Sequence, residues 1–110
     1  MPLGPIMKVL LICSAGMSTS LLARAMEKAA AAAGIALEVA TAGTAELPEA
    51  LEGMQVALVG PQVRHRLGQI EAMAEAAGVP VALIPAQVYG TVDGPAALEQ
   101  ARALAGVANG

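Results

Sequence analysis

Aromatic residues are almost missing from this sequence, which has no tryptophan, no phenylalanine and one tyrosine, Tyr89. Without stacking platforms, and with 6 basic against 9 acidic residues and no basic stripe, a nucleic-acid binder is excluded. Cysteine is equally scarce. The single Cys13 cannot close an internal disulfide, and with one histidine, His65, it cannot complete the usual four-ligand zinc site. A lone thiol that must stay reduced fits a cytoplasmic setting. No apolar run approaches the roughly 20 residues that span a bilayer, so direct membrane insertion is not expected. Residues 1–6 carry neither the basic start nor the apolar stretch of a signal peptide and read as an overhang or a cloning scar. Residues 7–110 read as a single domain. No Gly-x-Gly-x-x-Gly marks a dinucleotide site and no Gly-Lys-Ser/Thr marks a nucleoside triphosphate site.

What the chain does have is concentrated in Lys8-Val-Leu-Leu-Ile-Cys13-Ser-Ala-Gly-Met-Ser-Thr-Ser20-Leu-Leu22. The apolar run Val9 to Ile12 has the character of a parallel strand covered on both faces, and it stops at the cysteine. Small and hydroxylic residues follow, then a helix. That order puts a thiol at the carboxyl end of a strand and under the amino end of a helix, where unpaired N–H groups and partial positive charge favour an anion. A cysteine so placed is expected to have a lowered pKa and enhanced nucleophilicity. Gly16 gives the loop backbone freedom. Ser14, Ala15, Ser18, Thr19 and Ser20 are small enough for main-chain amides to wrap an oxyanion.

Along the rest of the chain, Leu21, Leu22, Ala25, Met26, Ala29 and Ala33 fall on one helical face, with Gly34 as the stop. Ile35 to Thr41 alternates as a second strand near an edge. Gly43 to Gly53 reads as a turn or short helix. Gln55 to Val59 is a third strand. Val63, Leu67, Ile70, Ala74 and Ala77 mark a helix stopped by Gly78. Val79 to Ile84 is a fourth strand, Ala86 to Gly94 a loop carrying Tyr89, and Asp93-Gly-Pro95 introduces a last helix through about Ala105. Strands alternating with helices mean an α/β domain, a four-stranded parallel sheet with helices on both sides. In such a sheet the crevice lies outside the carboxyl ends of the strands, which gathers Cys13, Gly60-Pro-Gln62 and the Tyr89 loop.

Three motifs, Cys13 to Leu22, Leu58-Val-Gly-Pro-Gln62 and Tyr89-Gly-Thr-Val-Asp-Gly94, together resemble the IIB component of the bacterial sugar phosphotransferase system, in its lactose, cellobiose and chitobiose family. The resemblance implies a three-layer sandwich with strand order 2-1-3-4, similar to the small tyrosine phosphatases. It also implies that Cys13 accepts phosphate from a phosphohistidine of a IIA protein and passes it to a sugar held by the membrane permease IIC. Phosphocysteine would make such a component a transferase and a phosphoprotein, and no metal or cofactor is expected; the small size and the absence of a long apolar stripe point to a monomer that docks briefly. Main-chain N–H groups of Ser14, Ala15, Gly16, Met17, Ser18, Thr19 and Ser20 would then hold the phosphoryl oxygens.

The rival is a cysteine phosphatase or arsenate reductase of the same shape. Those enzymes place five residues and then an arginine after the cysteine, and here that position holds Thr19. Without the guanidinium the loop can hold a phosphoryl group but is poorly equipped to hydrolyse it. A third reading is a binding module with an inert thiol. The relay needs a sulfur that can be reached from outside. Tyr89 reads as a cover for the loop, a phosphoryl or partner contact, or a core cap with its hydroxyl in water. Asp93 reads as a helix cap or an acid, Gln62 as an amide donor or a helix-start residue, and Pro61 as the residue that fixes the turn. His65 reads as an acid or base or, between Arg64 and Arg66, as solvated surface, and Met17 and Met54 as apolar filler, Met17 alternatively as part of a partner-facing patch.

Overall fold

A computed structural model describes residues 6–14 and 19–109. Four strands, β1 (Met7–Cys13), β2 (Leu37–Gly43), β3 (Val56–Val59) and β4 (Val81–Leu83), form a sheet in the order β2-β1-β3-β4. Every pairing is parallel. The helices are α1 (Ser20–Ala32), α2 (Leu67–Ala77), α3 (Ala86–Gly90) and α4 (Gly94–Asn109). No helix among the described residues is long and apolar enough to cross a membrane.

Alternation along β1 divides the core. Val9 and Leu11 face one layer with Leu22 and Met26 of α1 and Ala97 and Ala101 of α4. Leu10 and Ile12 face the other, with Val63, Ile70 and Ala74. Successive side chains of a strand point to opposite faces. The unbroken apolar run is therefore what a strand covered on both sides requires. β2, paired only with β1, is less buried, in line with its alternating sequence.

Several expectations need correcting. The buried face of α1 is Leu22, Ala23, Met26 and Ala30, and Leu21 is 63% exposed. A helix this rich in alanine carries little phase information, because alanine fits either side. Gly43 to Gly53 folds as two 3-10 turns, Thr44–Glu46 and Glu49–Leu51. The helix expected from Val63 starts as a 3-10 turn, Pro61–Arg66, that bends at Val63 before α2 begins. The loop expected after Pro85 contains α3, too short to show a period. Gly78 does end α2 in the left-handed region at φ +74.

α3 closes with Val88 accepting from the N–H of Asp93 and Tyr89 accepting from that of Val92. This paired closure puts its left-handed residue at the position that glycine usually fills. Here it is Val92, at φ +51. A branched side chain there costs about 1 to 2 kcal/mol, partly offset in a glycine variant by the freer unfolded chain. Val92→Gly should therefore raise the unfolding free energy by about 0.5 to 1 kcal/mol in urea titrations. A loss of stability would contradict the strain.

Candidate active site

Cys13 is the last residue of β1, paired in register with Gly43 at the end of β2. On its other side Gly60, just past β3, donates its N–H to the carbonyl of Ile12 at 2.7 Å. Both flanks of the cysteine are thus glycine backbone. A methyl group added at Gly43 would stand 3.0 Å from the carbonyl oxygen of Ser14, and one at Gly60 would be 3.7 Å from Cβ of Cys13. Gly43 was not singled out from the sequence. Its signal, a glycine at the end of a strand, was present but reads there as ordinary turn punctuation.

By the alternation that sends Val9 and Leu11 under α1 and α4, the Cys13 side chain points to that same layer. Its sulfur lies 3.7 Å from the Oγ1 of Thr19, the residue capping the amino end of α1. Thr19 is fully buried, its carbonyl accepts the N–H of Ala23, and its hydroxyl is not used as a helix cap. The position that holds arginine in the phosphatases therefore holds a hydroxyl directed at the thiol. Ser20, the first residue of α1, and Ser14 are exposed. Ala15, Gly16, Met17 and Ser18, named above as phosphate-loop residues, lie outside the described residues.

One expectation is overturned. The sulfur was expected in an open crevice, and Cys13 has 0% exposure. Its side chain is directed into the α1 layer, where the Thr19 hydroxyl lies beside the sulfur. The layer follows from the parity that Cys13 shares with Val9 and Leu11 along β1.

The neighbouring candidates divide. Pro61 opens the 3-10 turn after Gly60. Gln62 is exposed, but its Oε1 folds back over Gly60, where a Cβ would approach it to 2.7 Å. The turn thus brings Gln62 to the flank of Cys13. Asp93 caps α4, its Oδ1 accepting the N–H of Ala96 at 3.1 Å. Tyr89 packs against the layer containing Val9, Leu11 and Leu22. Its hydroxyl is buried without a hydrogen-bond partner among the described residues, which removes the one alternative that placed it in water. Arg64, His65 and Arg66 are exposed, and His65 and Arg66 line a shallow cleft of about 430 Å³ with Gly68 and Gln69.

Residues 8–100 match the family described as the lactose/cellobiose-specific IIB subunit of the phosphotransferase system. The chain is similar to the galactose-specific EIIB component of Lactococcus lactis subsp. cremoris, with 42% identity across 87% of this chain and 94% of that protein. It is 35% identical to the oligo-beta-mannoside-specific EIIB component of Bacillus subtilis, over 88% and 94% of the two chains. Among solved structures, the cellobiose-specific IIB component of Borrelia burgdorferi superposes with a TM-score of 0.76 at 33% identity, covering 92% of this chain and 94% of that one. The lactose-specific IIB domain of Streptococcus pneumoniae, at 18% identity, shares the fold with a TM-score of 0.81 over 91% and 98%.

Proposed function

The chain belongs to the lactose/cellobiose-specific IIB family of the sugar phosphotransferase system, and on that premise we propose that Cys13 is its phosphoryl carrier. The thiolate attacks the phosphorus of a phosphohistidine on a IIA protein. An S–P bond forms as the N–P bond breaks, and the imidazole leaves. In the second step the hydroxyl of a sugar bound by the permease IIC attacks the same phosphorus, the S–P bond breaks and the thiolate is restored. The sugar is a β-linked disaccharide such as cellobiose, chitobiose or lactose, in keeping with relatives named for galactose, cellobiose and oligo-β-mannoside.

The observation that carries the reading is the contact between Cys13 Sγ and Thr19 Oγ1 at the head of α1. Phosphoryl transfer asks a protein mainly for positioning and for stabilisation of charge on the phosphate oxygens. A sulfur held against a helix amino terminus has donors nearby that need no metal. A hydroxyl in place of a guanidinium leaves the phosphocysteine without the clamp that phosphatases use on the transition state. The residues covering Cys13 must yield before the phosphorus can approach in line, because the sulfur is enclosed as described.

That burial also favours a second reading, a binding module whose thiol never reacts. Incubation with phosphorylated IIA separates the three. The relay predicts one phosphoryl group per chain and no turnover of a small aryl phosphate. A phosphatase predicts turnover lost in Cys13→Ala. The inert module predicts neither.

A further inference from the structure

The charges around α2 are arranged against that helix's own preference. Backbone dipoles favour anions at a helix amino end and cations at its carboxyl end. Here Arg64, His65 and Arg66 stand immediately before α2, with Arg66 as its N-cap residue, while Glu71 and Glu75 lie further down its length. Among the described residues neither arginine has an ion-pair partner, the one ion pair being Arg102 with Glu99 on α4. Two unpaired guanidinium groups at an unfavourable helix end, in a chain of net charge -3, have no stabilising task inside the molecule.

Their location supplies one outside it. The 3-10 turn that carries them begins beside Gly60, whose backbone flanks Cys13. At about 2 Å of rise per residue, Arg64 stands on the order of 8 Å along the chain from Gly60. That is comparable to the screening length of about 8 Å at physiological salt. Charge brought to the edge of the sheet at Cys13 would thus lie about one screening length from Arg64.

We propose that Arg64 and Arg66, with the cleft beside His65, form the electropositive docking ledge for an acidic surface on the protein that phosphorylates Cys13; this rests on the relay reading above. Charge complementarity favours the phosphodonor as the occupant. A loaded donor brings the negative charge of its phosphoryl group to the ledge and a spent donor does not. After transfer the same charge sits on Cys13 and partly neutralises the ledge. Loaded donor is thus attracted and spent donor released. Interactions of this kind act mainly on encounter rate and fade with salt.

The test uses the whole chain and purified phosphorylated IIA protein of the same transport system, comparing the parent with the double variant Arg64→Ser, Arg66→Ser. Initial rates and final extent of Cys13 phosphorylation are followed at low and physiological salt, beside urea titrations. The proposal expects an apparent KM for the donor raised about tenfold at low salt. It also expects a flattened salt dependence, an unchanged extent of one phosphoryl group, and stability equal to or above the parent. An unchanged KM and salt dependence, with Cys13 still fully phosphorylated, overturns the ledge and leaves the relay standing. A parent chain that takes up no phosphoryl group overturns both.

Discussion

Cys13→Ser should abolish phosphoryl uptake from the loaded donor, by at least about a thousandfold in rate, while leaving the fold in place. An alcohol is ionised far less at neutral pH than a thiol, and it forms a more stable ester that does not hand the group on, so the substitution removes both halves of the relay. Structural loss should be small, because serine is close in size to cysteine and the hydroxyl can keep the contact with Thr19 Oγ1 that the sulfur makes. The added polarity is placed where a hydroxyl partner already exists, and a buried polar group with a partner costs little. Radiolabel transferred from phosphorylated IIA, read beside a urea titration, separates lost chemistry from lost structure. Labelling that persists in Cys13→Ser would move the acceptor elsewhere in the chain.

Gly94→Ala should cost about 3 kcal/mol of unfolding free energy, because overpacking here is backbone against backbone. Gly94 is buried at the start of α4, and a Cβ there would fall on the carbonyl carbon and oxygen of Ala25 and on its side chain. None of these atoms can rotate aside as the tip of a long side chain would. α4 would have to move off α1, opening the layer that holds Leu22, Met26, Ala97 and Ala101. Since α1 carries Thr19 at its amino end, the variant should also slow phosphoryl uptake, through displacement of the helix rather than through the chemistry. An unfolding free energy within about 0.5 kcal/mol of the parent would show the two helices to be more loosely seated than their contact implies.

The sheet was legible because its signals are local. Each central strand is a short apolar run ended abruptly, β1 by Cys13 and β3 by Gly60-Pro61, and parallel strands need such runs when both faces are covered. The strand order 2-1-3-4 came with the resemblance and is the order observed. Alanine concealed the phase of α1. Leu21, assigned to the buried stripe, is exposed, whereas Ala23 and Ala30 are buried. The five-residue helix around Tyr89 left no period to detect.

At the site, the sequence indicated the cysteine and the missing arginine but not their physical relation. The layer that the Cys13 side chain enters follows from its parity with Val9 and Leu11, but what lies beside it there, Thr19 at the head of α1, depends on how that helix packs on the sheet, which is a long-range property. The same holds for Thr19, which the sequence marked as a loop residue in the place of an arginine but not as the sulfur's hydroxyl neighbour, and for Gly43, brought beside Cys13 from the neighbouring strand. Tyr89 shows the limit from the other side. Of the readings open for Tyr89, a core cap with its hydroxyl in water is the one the packing closes off, leaving a buried polar atom without a partner among the described residues, at a cost of about 1 to 3 kcal/mol.

Phosphorus NMR of the intact chain, recorded after incubation with phosphorylated IIA, reads the nature of the bond directly. The account predicts a single new resonance in the thiophosphate range, coupled to the Cβ protons of Cys13. A resonance in the phosphohistidine or phosphoserine range, or none beyond those of the donor and free phosphate, would contradict it.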